Sequence, residues 1–157
     1  MKVCIGKYNE DGQHREIEIH DYDTWSMDDT LAHIILPMLK QLKDTKHGAP
    51  VVSFKDVPQE LLPPDAESFS KLYAQNGEAD ENYFKRWDWV LDEMIWAFEQ
   101  KCKDEWQDEF YGPYTEPTED DIMGRFEWVD RDGLNQHQKR MSNGFRLFGK
   151  YYENLWD

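Results

Sequence analysis

The sequence predicts an α+β fold: an N-terminal β-hairpin packed on about three main α-helices, with a long irregular connecting segment. Three observations predict it. Apolar residues alternate on either side of a turn near residues 9–12, and apolar residues recur at helical spacing in three later stretches. A run carrying Pro58, Pro63 and Pro64 separates the first helical stretch from the second. A chain of 157 residues is the usual size of one domain and buries roughly 70% of its unfolded surface on folding, so residues 1–157 are read as a single domain.

The hairpin is read from "KVCIGKYNEDGQHREIEIHDYDTW". Val3 and Ile5 alternate with polar residues, Asn9 to Gly12 turn the chain, and Ile17 and Ile19 resume the alternation. Two strands alone are marginal in water, so the helices are expected to cover one face. The first helix, residues 26–47, opens at Ser26 with Asp29 placed as in a capping box. Leu31, Ile34, Ile35, Met38, Leu39 and Leu42 then follow on one stripe. Lys43, Lys46 and His47 fall in its last turns, Gly48 offers a left-handed stop, and Pro37 is expected to kink it. Residues 51–77 read as irregular surface chain with a short helical turn at 67–74.

The second helix runs from near Asp80 to Cys102 or Trp106. Phe84, Trp87, Leu91, Met94, Ile95, Phe98 and Cys102 share a stripe about 100° wide, the expected core face. Trp89 and Trp96 fall roughly opposite it, with Lys85 and Asp92 nearby. Either the hairpin or the final helix covers these two indoles, or they face a subunit contact or form an aromatic ligand wall. Residues 103–123 hold eight acids and two prolines and read as a solvated connection, followed by a short strand within "RFEWVDRDGL". The Asp130, Asp132, Gly133 cluster does not make a calcium loop, because Trp128 and Lys139 then occupy ligand positions that require carboxylates. The third helix, about 135–155, places Met141, Phe145, Phe148, Tyr152 and Leu155 on one face. Gly144 and Gly149 weaken its propensity, but their smallness suits close helix contact.

The net charge of −15 is uneven: residues 1–78 carry −6, residues 79–134 carry −11, and residues 135–157 carry +2. Such a surface repels phosphate over most of its area, so direct nucleic-acid binding is not expected. Two cysteines without ligand spacing imply neither a disulfide framework nor a metal site, and no stretch is apolar enough to cross a membrane. No cofactor is implied.

Against that charge, Lys139, Asn143, Arg146 and Lys150 recur on the outer face of the third helix, where they could share one anion. The plain alternative is a solvated face paired with the acids of 103–121. Lys40, Lys43 and His47 on the first helix could touch phosphate, although C-terminal cations that complement a helix dipole explain them equally well. His33 and His47 lie about 21 Å apart along the helix and cannot share a metal. No nucleophile elbow or phosphate-cradling glycine loop is present. Asp88 and Asp92 read as part of a surface ion-pair ladder with Lys85.

The runs "DYDTWSMDDTLAHIILPMLKQLKDTKHGAP", "NYFKRWDWVLDEMIWAFE" and "MSNGFRLFGKYYENLWD" resemble a family of small hypothetical proteins encoded by tailed bacteriophages. The resemblance implies synthesis in the host bacterial cytoplasm and action on host defence, metabolism or phage assembly; it supplies no catalytic residues. Two functions are then expected from the residues. One is non-catalytic sequestration of a small anionic nucleotide-like ligand, such as a host immune signal. Trp89 and Trp96 would stack on its base, and Lys85, Lys139, Asn143, Arg146, Lys150, Lys40, Lys43 and His47 would hold its phosphates. A homo-oligomer is expected, with pockets between subunits. The other is an acidic polyanion mimic that blocks a basic surface of a host DNA-binding or defence protein.

Overall fold

The structure is a computed structural model, and its described residues are 1–63, 65, 79–117 and 123–156; the helical turn expected at 67–74 lies outside them. The order of elements is strands β1 (Lys2–Asn9) and β2 (Gly12–Glu18), helices α1 (Asp21–Trp25), α2 (Met27–Thr45) and α3 (Tyr83–Lys101), the short strands β3 (Tyr114–Thr115) and β4 (Arg125–Phe126), and helix α4 (Arg131–Lys150). Single 3₁₀ turns lie between α2 and α3, before β3 and after α4. The α+β class is therefore the observed one, with a β-hairpin ahead of three main helices.

Helix α3 is the spine. Its ion pairs with α2 run from Lys40–Glu99 through Lys43–Asp92 to Lys46–Asp88, so the two helices are antiparallel. Against α4 it sets Glu93 on Arg140 and Trp87 on Tyr151, again antiparallel. The core is built on Trp87, Val90, Leu91, Met94, Ile95 and Phe98 of α3, with Ala32 and Leu39 of α2, Leu147 of α4, Val52 and Tyr151 around them. The apolar stripe expected on α3 is largely buried, but Phe84 at its first turn is 52% exposed.

Gly144 permits the close approach of α4 to α3. A Cβ there would lie 2.4 Å from the Ala97 Cβ and 2.6 Å from the Glu93 carbonyl oxygen, whereas a Cβ at Gly149 would meet nothing within 4 Å. Gly144→Ala should therefore destabilise the protein by about 1–2 kcal/mol, the overpacking cost exceeding the gain in helix propensity. Gly149→Ala should stabilise it by up to about 1 kcal/mol. Urea midpoints that move together in the two variants would contradict the close contact.

The proline-bearing segment is tied down on α3 and α4. Tyr83 Oη donates to the Ala49 carbonyl at 2.8 Å, the Ser53 amide donates to Tyr151 Oη at 3.0 Å, and Arg86 Nη1 donates to the Leu61 carbonyl at 2.9 Å. It is a strap across the helices.

Several local expectations are corrected. Ser26 stands at the start of α2 but makes no side-chain cap, and the chain before it forms α1, whose entry is fixed by the His20 amide donating to Asp23 Oδ2 at 2.8 Å. Gly48 is not left-handed; Lys46 ends α2 in extended conformation, and among the described residues Gly12 in the hairpin turn is the glycine with positive φ, +100°. Asp130 caps α4, its Oδ1 accepting from the Gly133 amide at 2.8 Å, so the last helix starts at Arg131 and not near 135.

The largest correction concerns the hairpin. Cross-strand pairs share a face, so Val3, Ile5, Arg15 and Ile17 lie on one side and Lys2, Cys4, Glu16 and Glu18 on the other. Apart from Gly6, Gly12 and Gln13 every residue of the two strands is exposed. The apolar face does not lie on the helices.

Candidate functional site

The cations expected to hold phosphate are committed within the protein. On α2, Lys40 pairs with Glu99 at 2.6 Å and Lys43 pairs with Asp92, while Lys46 pairs with Asp88; together they form an electrostatic seam along α3. His47 is also engaged, so Lys40, Lys43 and His47 are not a free phosphate grip. Lys85 donates to Asn82 Oδ1 at 3.0 Å and takes no part in a ladder with Asp88 and Asp92.

On α4 the strip is likewise neutralised. Asp56, in the strap, is buried with 7% exposure and receives Arg146 Nη2 at 2.8 Å, Lys150 Nζ, and Tyr151 Oη at 2.7 Å. Asn143 Oδ1 accepts from Arg146 Nε at 3.0 Å, which aims the guanidinium at Asp56. Burial pushes the Asp56 carboxyl up, but the bonds from Lys150, Tyr151 and Arg146 together outweigh it and hold the group below its ordinary value. Burial, then the bond to Asp56, pushes the Tyr151 phenol up to about 12. Lys139 alone of the strip stays exposed and outside this cluster.

The two tryptophans are covered by the protein's own chain. Trp89 is half-buried against the core cluster. Trp96 lies under the Arg140 guanidinium, 4.0 Å from the ring centroid, and beside the His137 ring at 4.9 Å. Arg140 is held there by Glu93, with Nη2 2.7 Å from Oε1. His137 stacks on Trp106 at 4.7 Å and its Nε2 faces Gln100 Oε1 at 3.1 Å; burial, against the opposing charge of Glu109, lowers its pKa. Neither indole is an open stacking platform: α4 side chains cover Trp96, and Trp89 packs against the core cluster.

What the fold does leave open is a groove. Helices α2 and α4 both lean on α3, and face each other across a space with two cavities of about 850 and 450 Å³, both lined by Ile35. The smaller joins the first half of α2 (Asp28, Leu31) to the middle of α4 (Gln138, Met141, Phe145), and the larger joins Met38 and Leu42 farther along α2 to Phe148, Tyr152 and Trp156 at and beyond the end of α4. The two walls are therefore parallel. Along α2 the lining residues Ile35, Met38 and Leu42 recur at i, i+3 and i+7; along α4 Met141, Phe145, Phe148 and Tyr152 recur at i, i+4, i+7 and i+11. Phe98 of α3 forms part of the floor, edge-on to Phe145 at 5.2 Å and Phe148 at 5.1 Å.

The larger cavity has no charged lining residue, and Met38, Tyr152 and Trp156 remain 61%, 65% and 58% exposed at its rim. At the smaller cavity Asp28 is already paired with Lys101, which lines it too, whereas Asp104, Glu105, Asp108 and Glu109 bracket its Trp106 and Gln107. The last four make no ion pair among the described residues. Helical spacing predicts both apolar rows but not the space between them. The available signal was the width of the α2 stripe, which carries more apolar side chains than one neighbouring helix can cover.

Among the described residues no group of three or more His, Cys, Asp or Glu side chains is arranged to hold a metal ion, and no helix is long and apolar enough to cross a membrane. The chain matches no protein-family model, no curated protein and no solved structure.

Proposed function

We propose that this protein is an acidic interaction module that binds a basic amphipathic helix of another protein in the groove between α2 and α4. The observation that carries the reading is the pair of parallel apolar rows facing each other over Phe98 with no helix of the described chain between them. Among the described residues no fourth helix fills this trough, and an amphipathic helix laid in a groove is a recurrent recognition mode. The charge selects the occupant. At −15, with acids about the Trp106 end, the protein attracts a helix whose polar face is cationic and repels a second copy of itself in the same place. The resemblance to phage-encoded proteins makes a basic host protein the natural partner. Sequestration of a nucleotide-like ligand is the weaker reading, because its phosphate contacts Arg146 and Lys150 already serve Asp56 and its stacking rings are covered.

Fluorescence anisotropy with labelled helical peptides tests this. A peptide with leucines on one face and lysines on the other should bind, and Met38→Glu or Tyr152→Glu should weaken it at least about tenfold, or about 1.4 kcal/mol. Both residues are exposed, so the variants should fold as the wild type does. Affinity should fall as salt rises, and a peptide with the same leucines but glutamates opposite should not bind. Binding unaffected by either groove variant, or no binding of the cationic helix, would sink the reading.

A further inference from the structure

The hairpin poses a separate problem. Its one face presents Val3, Ile5 and Ile17 at 38%, 51% and 62% exposure, with Arg15 across from Ile5, and Ile19 continues the row at 52%. A free two-stranded hairpin is marginally stable in water, and no helix of the described chain supplies the missing cover. Its composition says what can approach it. Residues 1–19 contain three basic residues, Lys2, Lys7 and Arg15, and four acidic ones, Glu10, Asp11, Glu16 and Glu18. Nearly all of the −15 therefore lies elsewhere, and the hairpin is the place where another equally acidic molecule can come close without strong repulsion.

We infer that two copies of this chain associate through the apolar faces of their β1–β2 hairpins, packed sheet on sheet about a two-fold axis. Such a contact is self-complementary: the same branched residues meet on both sides, as an isologous interface requires. It buries the row that each copy leaves bare, at the ordinary spacing of about 10 Å between stacked sheets. The area limits its strength. A strand of eight residues is about 26 Å long. Two strands about 10 Å wide then bury roughly 260 Å² per copy, well under the roughly 800 Å² of a standard interface. The dimer is therefore weak, and Tyr22 and Trp25, both more than 85% exposed at the base of the hairpin, are the side chains available to extend it. Salt acts on it with the opposite sign from the groove. Screening weakens repulsion between two acidic bodies and leaves apolar contact intact, so the dimer tightens as salt rises.

Sedimentation velocity under reducing conditions should show a reversible monomer–dimer equilibrium whose dimer fraction grows with protein concentration and between about 0.05 and 0.5 M salt. Ile17→Lys should raise the dimer dissociation constant at least about tenfold, while circular dichroism keeps the wild-type helix signal. Cys4→Ser, on the opposite hairpin face, and Met38→Glu, in the groove, should leave the dimer unchanged. A monomer at every concentration and salt would overturn the inference. So would a dimer indifferent to Ile17→Lys, a dimer abolished by reductant and hence a Cys4 disulfide, or one that is lost in Met38→Glu and hence seated in the groove. These outcomes leave peptide binding untouched, so failure of either proposal is recognisable by itself.

Discussion

Replacing Asp56 with alanine should destabilise the protein by about 2–4 kcal/mol. The carboxylate is almost fully buried and accepts three charge-assisted or hydroxyl bonds, from Arg146, Lys150 and Tyr151, across ninety residues of chain. Losing it frees the strap from α4 and leaves two cations without their counter-charge. The cost stays below that of breaking a wholly buried pair, because the Arg146 and Lys150 side chains are 48% and 40% exposed and can rehydrate. Tyr151 keeps the Ser53 amide as donor to its oxygen, so the local fold does not lose every tie.

The same residue sets a pH dependence. The folded Asp56 pKa lies below its unfolded value, so the unfolded chain binds more protons in the window between them and stability rises with pH there. Its contribution is present above the unfolded value of about 4 and is lost as pH falls through the folded one. Tyr151 works at the other end: its contribution holds below about 10 and is lost as pH rises through about 12. Urea melts from pH 3 upward should show the acid-side slope in the wild type and a shallower one in Asp56→Ala. Equal slopes would mean that Asp56 is not the group responsible. Nucleotides offer a parallel reading: if Arg146 and Lys150 were an anion site masked by Asp56, the alanine variant would acquire a nucleotide-induced thermal shift, and none is expected.

How far the sequence could be read depends on the range of the interaction. Helix α2 was expected over 26–47 and spans Met27–Thr45, because a stripe such as Leu31, Ile35, Leu39 and Leu42 is a local signal that needs no knowledge of the partner. The hairpin followed in the same way from the alternation of Val3, Ile5 and Ile17 on either side of the turn. Whether that face lies on the helices is a tertiary matter, and the structure leaves it bare. The functional strip was misread for the same reason. Lys139, Asn143, Arg146 and Lys150 do share a helix face, but the acid that neutralises two of them is Asp56, ninety residues earlier, and nothing in the spacing points to it. Lys40, Lys43 and Lys46 meet Glu99, Asp92 and Asp88 in antiparallel order, but steps of three residues on one side face steps of seven and four on the other, so spacing alone does not give the pairing. The groove lay within reach, since Met38 and Tyr152 extend their stripes beyond what α3 covers.

Arg86→Met should cost about 3 kcal/mol or more, the other large effect in the molecule. The Arg86 side chain is 1% exposed. Its guanidinium grips Asp80 with two bonds, Nη1 to Oδ2 at 3.0 Å and Nη2 to Oδ1 at 2.6 Å, and Nη1 also donates to the Leu61 carbonyl. Its carbon lies 5.4 Å from the Phe54 ring centroid, so the same group joins the strap to the start of α3. Methionine keeps most of the volume but strands the Asp80 carboxylate and the Leu61 carbonyl, and the stranded acceptors account for most of the loss. Asp80→Ala in the Arg86→Met background should therefore recover part of the stability, as removing both partners is cheaper than removing one. Arg86→Lys should fall between the two, because an ammonium cannot serve Asp80 with two parallel bonds and reach Leu61 as well. No described residue of the strap lines the groove, so each folded molecule of the variant should bind a cationic helix with wild-type affinity even as the folded fraction declines. A variant as stable as the wild type would show that the bidentate grip is incidental, and that burial of Trp87 and its neighbours alone positions the strap.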